Sequence, residues 1–172
     1  MIDVALADAG MIQHVLNNLR RDDAIEIAAA GTDISRLAEQ IMRHKLFAFC
    51  AWGFDCGPIA VWGAVIKRQG VAAGFAFGTD DWGRAVLPMV RQIRAFVLPM
   101  LVDVGIHRVE AVALRRRDDV RRFMSLIGAK AEGTLTGYGI EGEDFVSYRW
   151  LADEYSGDRI AKAQTECAYS AH

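Results

Sequence analysis

Residues 106–150 constrain the fold of this chain more than any other stretch. They begin with Ile106-His-Arg-Val-Glu-Ala-Val-Ala-Leu114, which alternates around apolar positions and predicts a strand. Arg117-Asp-Asp-Val-Arg-Arg-Phe-Met-Ser-Leu-Ile-Gly128 comes next. There Val120, Phe123, Met124 and Ile127 fall at helical spacing, Asp118 and Asp119 sit in the first turn, and Gly128 supplies the stop. Residues 129–150 read as a hairpin with Glu141-Gly-Glu-Asp144 at its turn and Phe145, Val146, Tyr148 and Trp150 on its return strand. A strand, a helix and a hairpin in this order call for a sheet covered by helices.

The upstream chain extends that plan. Residues 1–7 alternate as a first strand, and Asp8 caps a helix whose inner face is Met11, Ile12, Val15 and Leu16. Residues 24–30 form a short helical piece stopped at Gly31, and Asp33 or Ser35 starts another with Ile34, Leu37, Ala38, Ile41 and Met42 on one side. Residues 46–52, 59–67 and 71–77 read as a three-strand meander, with Gly53-Phe-Asp-Cys-Gly-Pro58 as its first turn. A long helix over residues 84–103 follows, with Pro88 in its first turn and a kink expected at Pro99. The order βααα-βββ-α-β-α-ββ predicts an α/β (α+β) domain: a mixed, mostly antiparallel sheet, strand 71–77 central, helices on both faces.

Bulk properties exclude several classes. At 172 residues the chain makes one domain, expected over residues 1–151, with a polar tail at 152–172 that is partner-bound or disordered. A net charge of −2 exerts no general pull on nucleic acid, and no specific nucleic-acid site is evident. Cys50, Cys56 and Cys167 have no metal-ligand spacing, and the four histidines are far apart, so no metal site is expected; Cys50 and Cys56 read as buried free thiols. The apolar stretch 85–104 carries Arg91, Arg94 and Asp103, too much charge for a membrane span, and no signal peptide is visible. The arginines at 115–117, 121 and 122 read as a solvated cluster balanced by Asp118 and Asp119.

The strand–helix–hairpin order resembles the C-terminal half of the GNAT acetyltransferase fold, whose "Leu-Tyr-x-x-x-Gly-Phe" helix end here reads Phe123-Met-Ser-Leu-Ile-Gly-Ala129. The resemblance implies that the loop after the central strand holds the pyrophosphate of acetyl-CoA on backbone amides and a helix N-terminus. That loop is Gly78-Thr-Asp-Asp-Trp-Gly-Arg-Ala85, so Gly78, Thr79, Gly83, Arg84 and Ala85 are the candidate cofactor-binding residues. Asp80 and Asp81 oppose the role, since each sets a carboxylate where phosphate should arrive and can itself cap the helix. The family's tyrosine general acid corresponds to Met124 and its asparagine to Arg117, neither of which replaces the lost chemistry. Glu110 and Tyr138 stay as weak catalytic candidates beside Glu141, Glu143, Asp144 and His107.

A second resemblance rests on Leu19-Arg20-x-x-Asp23-x-x-Glu26 and the strand ending Gly78-Thr79. Both are similar to small GNAT-like internal virion or head-assembly proteins of short-tailed phages. It implies a virion-associated scaffold located in the host cytoplasm or the particle, with a degenerate acetyl-CoA site and no cofactor. Its partners would be other virion or assembly proteins, or further copies of itself, with Trp52, Phe54 and Trp150 as exposed anchors. The alternative is an acetyl-CoA-dependent N-acetyltransferase of an unidentified amine; the degenerate loop leans against enzyme activity.

Overall fold

The computed structural model describes residues 1–155. Its elements are β1 (Ile2–Leu6), α1 (Ala9–Asn17), α2 (Arg21–Ala29), α3 (Ile34–His44), β2 (Lys45–Gly53), β3 (Gly57–Arg68) and β4 (Val71–Gly78). They continue with α4 (Trp82–Gln92), a π turn (Ile93–Val97), α5 (Leu98–Asp103), β5 (Arg108–Leu114), α6 (Asp118–Leu126), β6 (Lys130–Leu135) and β7 (Phe145–Leu151). Seven strands form one sheet in the order β1-β2-β3-β4-β5-β7-β6, so β4 is central, as expected. Every neighbouring pair is antiparallel except β4 and β5.

Local chemistry explains the boundaries. Asp8 accepts from the Met11 amide at 2.8 Å and Asp33 from the Ser35 amide at 2.9 Å, so both helices start on side-chain caps. Gly128 closes α6 with φ +81°, a backbone region in which a side chain is strained. Helices cover both faces. Met89, Ile93, Leu101 and Phe123 pack on Ala60, Trp62 and Ala72 from one side, while Ile12, Val15, Ala38 and Ile41 pack on Cys50, Val61 and Phe77 from the other.

The long helix departs from expectation at its prolines. It begins at Trp82, which puts Pro88 inside α4 and not in a first turn. Ahead of Pro99 the helix widens into the π turn, where the Leu98 amide donates to the Ile93 carbonyl. Pro99 has no amide to continue that register, and the Tyr155 hydroxyl donates to the Arg94 carbonyl at 3.4 Å instead. The helix is apolar and long enough to cross a membrane by composition, but Ala85, Met89, Val97, Leu98 and Leu101 are buried against the sheet.

Two expected anchors belong elsewhere. Trp150 is core, and Trp52 is half-buried; only Phe54 stands out in solvent. Ala152 is buried and Tyr155 packs its ring on Trp150, so the body extends past residue 151. The rest of the tail, with Cys167, lies outside the described residues.

Candidate functional site

The parallel pair β4–β5 holds for three residues, Val71 with Arg108, Ala72 with Val109, Ala73 with Glu110, and then the strands part. The direction of their free backbone groups follows from the pairing on the outer sides. Thr79 donates its amide to the Ile59 carbonyl at 2.8 Å, so along β4 the odd-numbered residues bond β3. Gly74, Ala76 and Gly78 therefore turn N–H and C=O toward β5. Arg115 likewise donates to the Asp144 carbonyl at 2.9 Å, so Val112 and Leu114 turn theirs toward β4. Polar backbone on two unpaired edges needs partners.

Helix α2 supplies some of them at the wide end. Gly78 donates its amide to Asp23 at 2.7 Å, its carbonyl accepts from the Arg20 amide at 2.9 Å, and Leu114 donates to Glu26 at 2.9 Å. One turn of helix thus caps both strand ends with side chains three residues apart. Gly78 also has to be glycine here, because a Cβ would meet the Trp82 ring at 2.7 Å and the Ile59 carbonyl at 2.9 Å. Between these caps and the paired segment an opening remains. A cavity of about 730 Å³ passes through it, from Leu101, Phe123, Met124 and Ile127 on one face to Ile27, Leu37, Ile41 and His44 on the other.

Charge at the capped end is tightly organised. Arg117 is 5% exposed and donates to Asp23 at 2.8 Å and to both oxygens of Asp119 at 2.8 Å. Burial alone would lower its pKa; the hydrogen bonds it donates to Asp119 and Asp23 outweigh that and keep it charged. Arg20 pairs with Asp23 at 2.8 Å and Asp119 at 3.1 Å while its guanidinium lies 4.3 Å over the Trp82 ring. Trp82 in turn meets Phe123 edge-on at 5.7 Å, closing α4 against α6. Glu26 is the exception among the carboxylates. Burial pushes its pKa up, against the opposing pull of the Leu114 amide and of Arg117 at 3.6 Å. The arginine run is therefore not uniformly solvated: Arg115, Arg116, Arg121 and Arg122 are exposed, and Arg117 is an interior ion.

The sequence-derived candidates are dispersed. Gly78 has its amide engaged by Asp23, and Thr79 has its amide engaged by Ile59. Ala85 is fully buried. Arg84 grips both oxygens of Asp55 at 2.9 and 3.0 Å. Gly83 alone stands open, with nothing within 4 Å of its Cβ direction. Asp80 and Asp81 are exposed at the start of α4, but Asp81 makes no side-chain cap; its amide donates to the Thr79 hydroxyl at 3.3 Å.

Glu110 is unsuited to act as a base: the Lys67 ammonium at 2.6 Å and Arg108 at 2.8 Å hold its carboxyl down at about 2. Tyr138 is half in solvent, its ring tilted against Phe145 at 5.1 Å, and does not line the cavity. The titratable groups that do line it include Glu26, His44 and Tyr148, none of which the sequence reading assigned a role. Tyr148 sits on β7 opposite Ala111, 6% exposed, and burial raises its pKa. No cluster suited to a metal ion occurs among the described residues.

No protein-family model and no curated protein sequence matches the chain. Solved structures do. Ard1 from Thermoplasma volcanium superposes with TM-score 0.70 at 12% identity, over 87% of this chain and 97% of that one. A GNAT superfamily phosphinothricin acetyltransferase from Sinorhizobium meliloti, solved with AcCoA, gives 0.67 at 10% identity over 87% and 88%. Spermidine N-acetyltransferase from Vibrio cholerae, solved with CoA and spermine, gives 0.66 at 12% identity over 90% and 97%. The fold is that of the GNAT acetyltransferases. Likeness at this identity carries the fold alone, and none of these structures is a virion protein.

Proposed function

We propose that the protein transfers an acyl group from a pantetheine thioester to an amine. The observation that carries this reading is the cavity through the sheet where β4 and β5 part. A narrow chain bearing amides can lie in that opening as an added strand, bonding the Gly74 carbonyl and the backbone of Ala76 and Val112. Donor and acceptor then meet from opposite faces. The neighbours' own ligands, AcCoA in one and CoA with spermine in another, support the choice of chemistry. The residues fit the thioester arm; the loop that would hold the nucleotide phosphates fits poorly, as described above.

When bound, the thioester supplies an electrophilic acyl carbon and a thiolate leaving group. The chain's own part is orientation and proton handling. Glu26 faces the cavity with a raised pKa and takes the proton that the attacking amine loses as its C–N bond forms. Tyr148, on the α6 side with Met124, returns a proton to sulfur as the C–S bond breaks. It thereby covers the role that Met124 cannot fill. The deciding experiment is calorimetry with S-acetyl-pantetheine and acetyl-CoA, followed by thiol release over a panel of amines. If neither donor binds, the proposal fails.

A second reading, a particle-assembly scaffold, is favoured by one observation. The residues behind the second resemblance, Arg20, Asp23, Glu26 and Gly78, are the ones that cap the opening. On that reading the caps hold the sheet together for its own sake. Absence of thioester binding, together with the protein's presence in purified particles, would support it.

A further inference from the structure

Resting on the acyl-transfer reading, we infer that the donor is recognised through its pantetheine arm alone, with no contribution from a nucleotide's phosphates. The two ends of the cavity differ in what they can bind. Along the opening, the Gly74 carbonyl and the backbone groups of Ala76 and Val112 face a space that no strand fills, which suits an amide-bearing arm. At the wide end, of the candidate pyrophosphate holders only Gly83 stands open, and the others are already committed. The Gly78 amide is held at 2.7 Å by Asp23, which is 3% exposed and itself locked to Arg117 at 2.8 Å. The Thr79 amide is spent on Ile59 at 2.8 Å.

The nearest cation of the loop, Arg84, is bidentate on Asp55 and 3.6 Å from Asp81. An incoming phosphate would have to displace one of these carboxylates and meet Asp80 and Asp81 besides, at the positive end of α4 that would otherwise attract it. Trp82, edge-on to Phe123, closes the cleft between α4 and α6 beside that loop. The site therefore keeps the recognition of an amide arm and discards that of a dianion.

Calorimetry on the full chain with two probes, S-acetyl-pantetheine and acetyl-CoA, tests this by binding and not by turnover. The expected result is that acetyl-pantetheine binds as tightly as acetyl-CoA to within about tenfold, or more tightly. The double variant D80N/D81N changes two exposed side chains; it should tighten acetyl-CoA several-fold, by about threefold or more, and leave acetyl-pantetheine unchanged. A preference of the unaltered protein for acetyl-CoA beyond about tenfold overturns the inference and leaves acyl transfer standing, as does a double variant that binds acetyl-CoA no better. Failure of both probes to bind overturns the acyl-transfer reading itself, and this inference with it.

Discussion

Glu26 and Asp119 belong to one cluster and titrate in opposite senses. Burial is the larger influence on Glu26 and raises its pKa; the Arg117 hydrogen bond is the larger influence on Asp119 and holds it at about 2. For Asp119 the folded value lies below the ordinary one. Its contribution to stability is present above the usual carboxylate range and is lost as pH falls toward about 2. Melting temperature followed from pH 5 to pH 2, roughly the span between those values, should fall more steeply for the unaltered protein than for D119N. Equal slopes would mean that Arg117 does not hold the carboxylate.

For Glu26 the sign reverses: its contribution is present at low pH and lost as pH rises through its raised value. E26Q keeps an amide oxygen to accept from Leu114 and removes the base. Transfer should drop by about 10²-fold or more with little change in melting temperature. A parallel loss of stability and activity would make Glu26 a strut only. Neither residue's role was legible beforehand. A sequence shows an acid at a helix start, and it does not show which acid the folded chain strips of water.

Helix α2 shows how far an element can be read from its letters. Its existence follows from Arg20-Arg-Asp-Asp23 and the stop at Gly31, although the helix begins at Arg21, earlier than residue 24. Its position does not follow, because its targets are the backbone amides of Gly78 and Leu114, and main-chain groups have no sequence signature. The opposite holds for strand β4, whose central place and abrupt end at Gly78-Thr79 are evident from the apolar run and the loop after it. Asp23 and Arg117 are both almost wholly buried, so losing either one takes a buried partner from the other, although Arg117 keeps Asp119 and Asp23 keeps Arg20. D23A and R117A should each cost about 1–3 kcal/mol in chemical denaturation. Because both changes break the same pair, D23A/R117A should fall short of their sum by about 0.5–3 kcal/mol. Strict additivity would show that the two ions are not coupled.

At the scale of the whole molecule, the sheet is the core and, on the acyl-transfer proposal, also the partition between donor and acceptor. Its antiparallel half, β1 to β4, and its second half, β5 with β7 and β6, share only three residue pairs, and the remaining length of that seam is the cavity. On that proposal, donor and acceptor approach from opposite faces and must both be present before any bond is exchanged. A covalent relay would require a nucleophile in the seam. Cys50 is buried away from it, with burial pushing its thiol up to about 11, and Cys56 lies in the β2–β3 turn beside Arg84. Neither lines the cavity. With no thiol lining the cavity among the described residues, the acyl-transfer proposal takes direct attack within a ternary complex, and initial rates measured against both substrates should give intersecting double-reciprocal lines. Parallel lines, or an acylated protein isolated after exposure to donor alone, would show that a residue carries the acyl group and that the two-faced seam is not where transfer occurs.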